Sequence, residues 1–254
     1  MQIHFLRHAT LVLAIEGLYI LVDPMFSPAG AMPPVANAAD QRRIPLVDLP
    51  LAEVELNYML DHIDAALVTH THRDHWDDRA VELLPKQLPI LCQPEDESKI
   101  RQAGFAAVLP IPARRQWRGV EVHRTGGQHG TGEIGARMAP VSGFVLRAAA
   151  EPTLYLAGDT IWCPEVEQAL QDHQPDVVIV NAGAALFLSG GPITMTADDV
   201  AQVCRALPPA EVIAIHMEAI NHCLLTRSEL LARLEEQGLE GRVMIPGDGT
   251  LVEL

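Results

Sequence analysis

"LVTHTHRDHWDD", from Leu67 to Asp78, places three histidines and three aspartates directly behind an apolar run that begins at Ile63. An apolar stretch of strand length that breaks abruptly into imidazoles and carboxylates reads as a buried strand delivering its last residues to a site. Side chains two apart in extended backbone point the same way, so His70 and His72 can reach one ion. Asp74 and His75 follow after a turn and face a neighbouring position, and imidazole with carboxylate suits zinc, iron or manganese. One loop cannot close such a site. The remaining donors have to come from other strand ends, and three stand out: His129 in "GGQHGTGE", Asp159 in "AGDT" and His216 in "IAIHME".

The surrounding pattern supplies those strand ends. "IDAALVTH" (63–70), "PTLYLAGDT" (152–160), "PDVVIVNAG" (175–183) and "AEVIAIHM" (210–217) are apolar without polar alternation, which suits sheets covered on both faces. Between them, "CPEVEQALQDH" (163–173), "TADDVAQVCRAL" (196–207) and "TRSELLARLEEQG" (226–238) repeat apolar residues at helical spacing. Thr226 with Glu229 forms a capping box, and Gly238 closes that helix. The opening "IHFLRHATLVLAIEGLYILVD" (3–23) reads as strands joined by a turn at Glu16-Gly17, and "RVMIPGDGTLVEL" (242–254) as another hairpin. The expected class is α/β, one domain over 1–254, with helices packed outside stacked sheets. The Pro- and Ala-rich segment 24–50 exceeds an ordinary connection and is either a functional loop or a surface insertion.

A formal charge of −15 removes the broad cationic footprint of a nucleic-acid binder and disfavours anionic membrane. No stretch reads as a signal peptide or membrane span. Cys92, Cys163, Cys204 and Cys223 show no C-x-x-C spacing, which fits reduced thiols and a cytoplasmic protein.

The spacing His70-x-His72-x-Asp74-His75, followed by His129, Asp159 and His216, resembles the seven-ligand pattern of the metallo-β-lactamase superfamily. "RHATLVLAIEGLYILVDPMF", "YLAGDT" and "MTADDV" resemble its ascorbate-phosphate-lactonase-like branch. The resemblance implies a four-layer αβ/βα sandwich with two mixed β-sheets. It implies two divalent metal ions, zinc first with manganese or iron as alternatives. His70, His72 and His129 would hold one, Asp74, His75 and His216 the other, with Asp159 bridging. The implied activity is hydrolysis of a lactone, ester or amide in a small substrate by a hydroxide between the ions. The alternatives are a phosphodiesterase of the same superfamily or a non-catalytic metal- or ligand-binding protein. Two dications, two carboxylates and one hydroxide leave a small positive excess that draws a carbonyl or phosphoryl oxygen.

Two catalytic candidates follow, Asp74 to orient the attacking hydroxide and His222 in "EAINH" to meet the substrate or leaving group. His8 in "RHAT" is a further candidate partner of ligands or substrate. Asp23 before Pro24 reads either as a turn former, the favoured reading, or as a carboxylate that supports the ligands from behind; Asp248 in "IPGDGT" reads as turn chemistry, and Cys223 as a small buried hydrophobe. His4, His62, His123 and His173 have no recruiting spacing and read as packed or solvated. Expected partners are a small molecule and, as in relatives of this type, further copies of the chain.

Overall fold

Apolar strands without polar alternation need cover on both faces, and the computed structural model, which describes residues 1–138 and 140–254, provides it. The first half of the chain builds one sheet from β1 (Gln2–Arg7), β2 (Thr10–Ile15), β3 (Leu18–Val22), β4 (Ala65–Val68), β5 (Ile90–Cys92) and β6 (Val108–Pro110). The second half builds another from β7 (Arg114–Trp117), β8 (Val120–Thr125), β9 (Gly143–Arg147), β10 (Leu154–Leu156), β11 (Val177–Asn181), β12 (Glu211–Ile215) and β13 (Val243–Met244). The last strand, β14 (Leu251–Glu253), returns to the first sheet beside β1. Both sheets are mixed. β3 to β6 and β10 to β13 run parallel, while the remaining neighbours pair antiparallel.

Successive residues on each strand serve two cores. In β4, Ala65 and Leu67 face the opposite sheet, whereas Ala66 and Val68 pack under the outer helices. In β11, Val177 and Ile179 point inward, and Val178 and Val180 outward. The helices α1 (Glu53–Leu60), α2 (Asp78–Leu83) and α3 (Glu97–Gln102) cover the first sheet with Leu56, Ala80 and Ile100. After the short α4 (Gly132–Met138), the helices α5 (Pro164–His173), α6 (Ala197–Ala206) and α7 (Arg227–Glu235) cover the second with Val166, Val200 and Leu230. The result is helix, sheet, sheet, helix, the layering expected from the resemblance. Each fully buried Val, Leu or Ile contributes about 1.5–3 kcal/mol, so the inter-sheet core and the two cores beneath the helices together carry most of the stability.

Local signals act as read. Glu16 and Gly17 both take left-handed backbone (φ 51° and 72°), as a two-residue hairpin between β2 and β3 demands. The Thr226 hydroxyl accepts from the Glu229 N–H, and the Glu229 carboxylate accepts from the Thr226 N–H. The hairpin expected over 242–254 does not form. β13 pairs with β12 in one sheet and β14 with β1 in the other, so the Pro-Gly-Asp-Gly turn carries the chain across the sandwich. The turn chemistry is the same in both cases, and pairing partners distant in sequence decide between them.

The segment 24–50 is strapped down. Arg7 is wholly buried, and its guanidinium donates to the carbonyls of Val47 (2.7 Å), Met25 (2.9 Å) and Ser27 (3.1 Å), tying both ends of the segment to β1. Burial pushes that group down to about 10, which still leaves it charged at neutral pH. Leu46 N–H donates to Ala219 O, and Asn221 joins the Val35 and Asp40 backbone, so the segment lies over the chain that follows His216. Among the described residues no helix is long and apolar enough to cross a membrane. Arg7→Met keeps the bulk but leaves buried carbonyls unpaired, at about 1–3 kcal/mol each. The thermal midpoint by calorimetry is expected to fall by roughly 10 °C or more, with faster proteolysis inside 24–50.

Candidate metal centre

Strand ends from both sheets meet at one edge of the sandwich. β4 ends at Val68, and Thr69 to His75 turn over its end, where His75 and Trp76 both donate backbone N–H to His72 O. His129 follows β8, Asp159 follows β10 and His216 follows β12. Gly130 (φ 92°) and Gly158 (φ 69°) let these loops close up: an added Cβ would lie 2.8 Å from Ile193 Cγ2 and 2.7 Å from Ser142 O respectively.

All seven expected ligands converge. His70 Nε2 is 2.9 Å from His72 Nδ1, and His75 Nε2 is 3.1 Å from His216 Nε2. His70, His72 and His129 form one donor group, and Asp74, His75 and His216 fall in a second that also contains His8. Asp159 stands between them. Its Oδ2 is 3.5 Å from His129 Nε2, 3.9 Å from His70 Nε2 and 3.3 Å from His75 Nε2, and its Oδ1 is 3.2 Å from His216 Nε2. With metal–nitrogen bonds of about 2.0–2.1 Å, two imidazoles spread 90° or more around one ion have ring centres at least about 4.5 Å apart. The rings of His70, His72 and His129 are 4.5, 5.4 and 5.7 Å apart, and those of His75 and His216 are 5.1 Å apart.

The charges point the same way. Asp74 and Asp159 are buried, and among the described residues their ion-pair partners are all histidines, with no lysine or arginine. Burial alone would raise both carboxyls. For Asp74 the His75 ring and the His8 hydrogen bond outweigh it, and for Asp159 the His216 and His75 rings do, holding both well below the usual carboxylate range. Burial keeps His70, His72 and His216 below the usual imidazole range, in the neutral form that binds metal. For His75 burial is outweighed by Asp159, Asp23 and Asp74, which lift it well above. Three carboxylates around one imidazole make an excess of negative charge that divalent cations satisfy. The residues therefore fit two divalent ions.

An outer ring of hydrogen bonds orients the donors. Asp23 is not simply a turn former: its carboxylate is buried and accepts from Thr69 N and Oγ1 (2.7 Å each) and from His75 Nδ1 (2.8 Å). Burial decides between the two sequence readings in favour of the supporting carboxylate, since an aspartate this deep must have its oxygens satisfied. Thr69 Oγ1, its proton given to Asp23, accepts from His70 Nδ1 at 3.1 Å. His129 Nδ1 donates to Ile193 O (2.7 Å), and Asn181 Nδ2 donates to Asp159 Oδ1 (2.7 Å). Asn181 went unread in the sequence, although one polar residue ending "VVIVN" is a visible signal. Cys223 is a protonated thiol, pushed up by burial, 3.6 Å from His216 Nδ1. His222 is buried beside Phe187, with ring centres 5.7 Å apart, and its Nδ1 has no partner. Burial pushes its imidazole down to about 4. His62 and His123 are engaged elsewhere, with Tyr58 O and Glu121, and take no part in the cage.

Comparison with known proteins identifies the family and the fold. A family model described as "Beta-lactamase superfamily domain" matches residues 2–216. The UPF0173 protein YddR of Bacillus subtilis (strain 168) is 35% identical over 252 residues, 98% of each chain. The crystal structure of a possible metal-dependent hydrolase from Veillonella parvula DSM 2008 superposes with TM-score 0.95 at 35% identity, over 100% of this chain and 99% of that one. That of isothiocyanate hydrolase from Delia radicum gut bacteria superposes with TM-score 0.94 at 36% identity, over 100% and 99%. A domain model spanning most of the sequence, full-length relatives above 30% identity and a shared double-sheet sandwich place this chain in the metallo-β-lactamase superfamily.

Proposed function

We propose that this chain is a binuclear metal-dependent hydrolase that attacks an electrophilic carbon in a small, uncharged substrate. The observation that carries the reading is the convergence of four imidazoles, those of His70, His75, His129 and His216, within 3.9 Å of Asp159, whose two oxygens face both halves of the cage. His70, His72 and His129 would hold one ion and Asp74, His75 and His216 the other, with Asp159 placed to serve both. When bound, two divalent ions supply hydroxide at neutral pH and a positive centre that polarises the substrate.

The chain's own groups do the rest. Asp74, ionised and buried, accepts a hydrogen bond from the attacking water and orients it. Asn181 fixes the rotation of Asp159. His222 stays neutral at working pH and offers its partnerless Nδ1 to the substrate or leaving group. Lactones, esters, amides and isothiocyanates all present such a carbon. For an isothiocyanate, one water adds to the central carbon, the carbon–nitrogen bond then breaks, and amine and carbonyl sulfide leave. The 36% identity to an isothiocyanate hydrolase supports attack at carbon over attack at phosphorus.

Dialysis against a chelator is expected to remove both ions by elemental analysis and to lower turnover on a lactone, ester and isothiocyanate panel by about a hundredfold or more. Zinc or manganese should restore it, and undiminished turnover in metal-free protein would sink the reading. Asp74→Ala should reduce kcat by about 10²–10⁴-fold while far-UV circular dichroism stays native. His222→Ala should lower kcat/KM about tenfold, the value of one hydrogen bond, with metal content unchanged.

A further inference from the structure

His8 belongs to no expected ligand set, yet the structure builds three separate contacts around it. A shift of register between Phe5 and Arg7 breaks the pairing of β1 with β2, and His8 follows in left-handed backbone, φ 60°. Its carbonyl accepts from the His216 N–H at 2.9 Å. Its ring lies over the His216 ring, with centres 3.6 Å apart and planes tilted by 36°. Its Nε2 is 3.3 Å from Asp74 Oδ2. An ionised carboxylate only accepts, so Nε2 carries the hydrogen, and Nδ1 is buried without a partner.

Ring spacing separates two roles. His8 Nε2 shares a donor group with Asp74, His75 and His216, which suggests an eighth ligand. The other ring pairs within each half of the cage are 4.5 to 5.7 Å apart, at or above the roughly 4.5 Å that two ligands spread 90° on one ion require. At 3.6 Å from His216, His8 is too close to radiate from the same ion and lies alongside it instead.

We infer that His8 is a positioning residue for one half of the cage: it props the His216 ring by stacking and holds the Asp74 carboxylate by donation. It thereby sets the affinity for the ion at Asp74, His75 and His216 without touching the His70, His72 and His129 half. The inference rests on the two-ion reading above. The Asp23 and Thr69 bonds to His75 and His70, and the Ile193 bond to His129, orient their donors from behind. His8 performs that service for Asp74, whose carboxylate receives no other side-chain hydrogen bond among the described residues.

The test titrates chelator-stripped protein with zinc by calorimetry, with elemental analysis of the saturated form, for the wild type, His8→Gln and His8→Met. Gln and Met have similar length and bear the same backbone penalty at φ 60°, but only Gln donates a hydrogen near the Nε2 position. In the wild type two equivalents bind. His8→Met keeps one equivalent at wild-type affinity and weakens the other about 10–100-fold, and His8→Gln recovers a large part of that loss. With cobalt in place of zinc, the visible spectrum of the tighter equivalent is the same in all three. Should neither long side chain tolerate the left-handed backbone, His8→Gly removes the ring while relaxing φ and is expected to show the loss seen for Met. Wild-type affinity for both equivalents in Met or Gly overturns the inference. Equal weakening in Met and Gln, with a changed cobalt spectrum for the weaker equivalent, makes His8 a ligand and overturns it too. A wild type that binds no second ion fails earlier, at the two-ion reading.

Discussion

Buried negative charge without basic side chains to answer it is the constraint on which this molecule depends. Asp23, Asp74 and Asp159 lie within the protein, and among the described residues their ion-pair partners are histidines alone. In a chain whose formal charge is already −15, long-range attraction for cations reinforces the local deficit. The His75 ring, lifted well above the usual imidazole range, answers part of that charge, and divalent cations would answer the rest and satisfy the ring nitrogens that face one another at 2.9 and 3.1 Å. Removing any one carboxylate therefore alters the charge of the whole cage, which is why these positions couple rather than add.

The sandwich meets that constraint by bringing strand ends from two sheets to a single edge. The inter-sheet core fixes the sheets against each other through residues such as Leu67, Leu156 and Ile215, which shortly precede His70, Asp159 and His216. Hydrophobic packing and site geometry are therefore one problem. A cavity beneath Ile215 or Leu67 would displace His216 or His70, so stability and metal affinity are tied through the same side chains. The segment 24–50, pinned by Arg7 and Asn221, closes over the chain beyond His216 and makes the site's wall part of the fold.

Much of this was legible in the residues. The heptad after β4 shows its donors because both of its ligand pairs are local, and the Glu16-Gly17 turn and the Thr226 capping box are short-range devices with distinctive residue types. What stayed hidden depends on partners far along the chain. The "IPGDGT" turn reads as a hairpin because its chemistry is that of a hairpin, but β12 and β1 pull its two strands into different sheets. Asp23 reads as a turn former, and it does turn the chain with φ 42°, yet its oxygens serve Thr69 and His75 some fifty positions away. Asn181 acts through a single long-range contact, and His8, a candidate in the sequence, through contacts to Asp74 and His216 that no spacing announces.

Backbone strain links these observations. The residue immediately following β1, β3 and β12 is His8, Asp23 and His216, and all three take left-handed backbone at φ 60°, 42° and 71°. For residues with a Cβ this costs about 1–2 kcal/mol each, and glycine would avoid it. The side chains are what the site needs: a strand that ends in a left-handed residue turns at once and directs that side chain back over the strand end instead of along it. Three such turns at one edge of the sandwich concentrate strain where a donor or the partner of a donor is required, and the inter-sheet core holds them there. The backbone bond from His216 N–H to His8 O joins two of the three turns, so the strand from the first sheet and the strand from the second fix each other's ends. A relaxed backbone at either position would free the two sheets to settle independently, and His216, carried by the second sheet, would lose its place against Asp74 and His75, carried by the first.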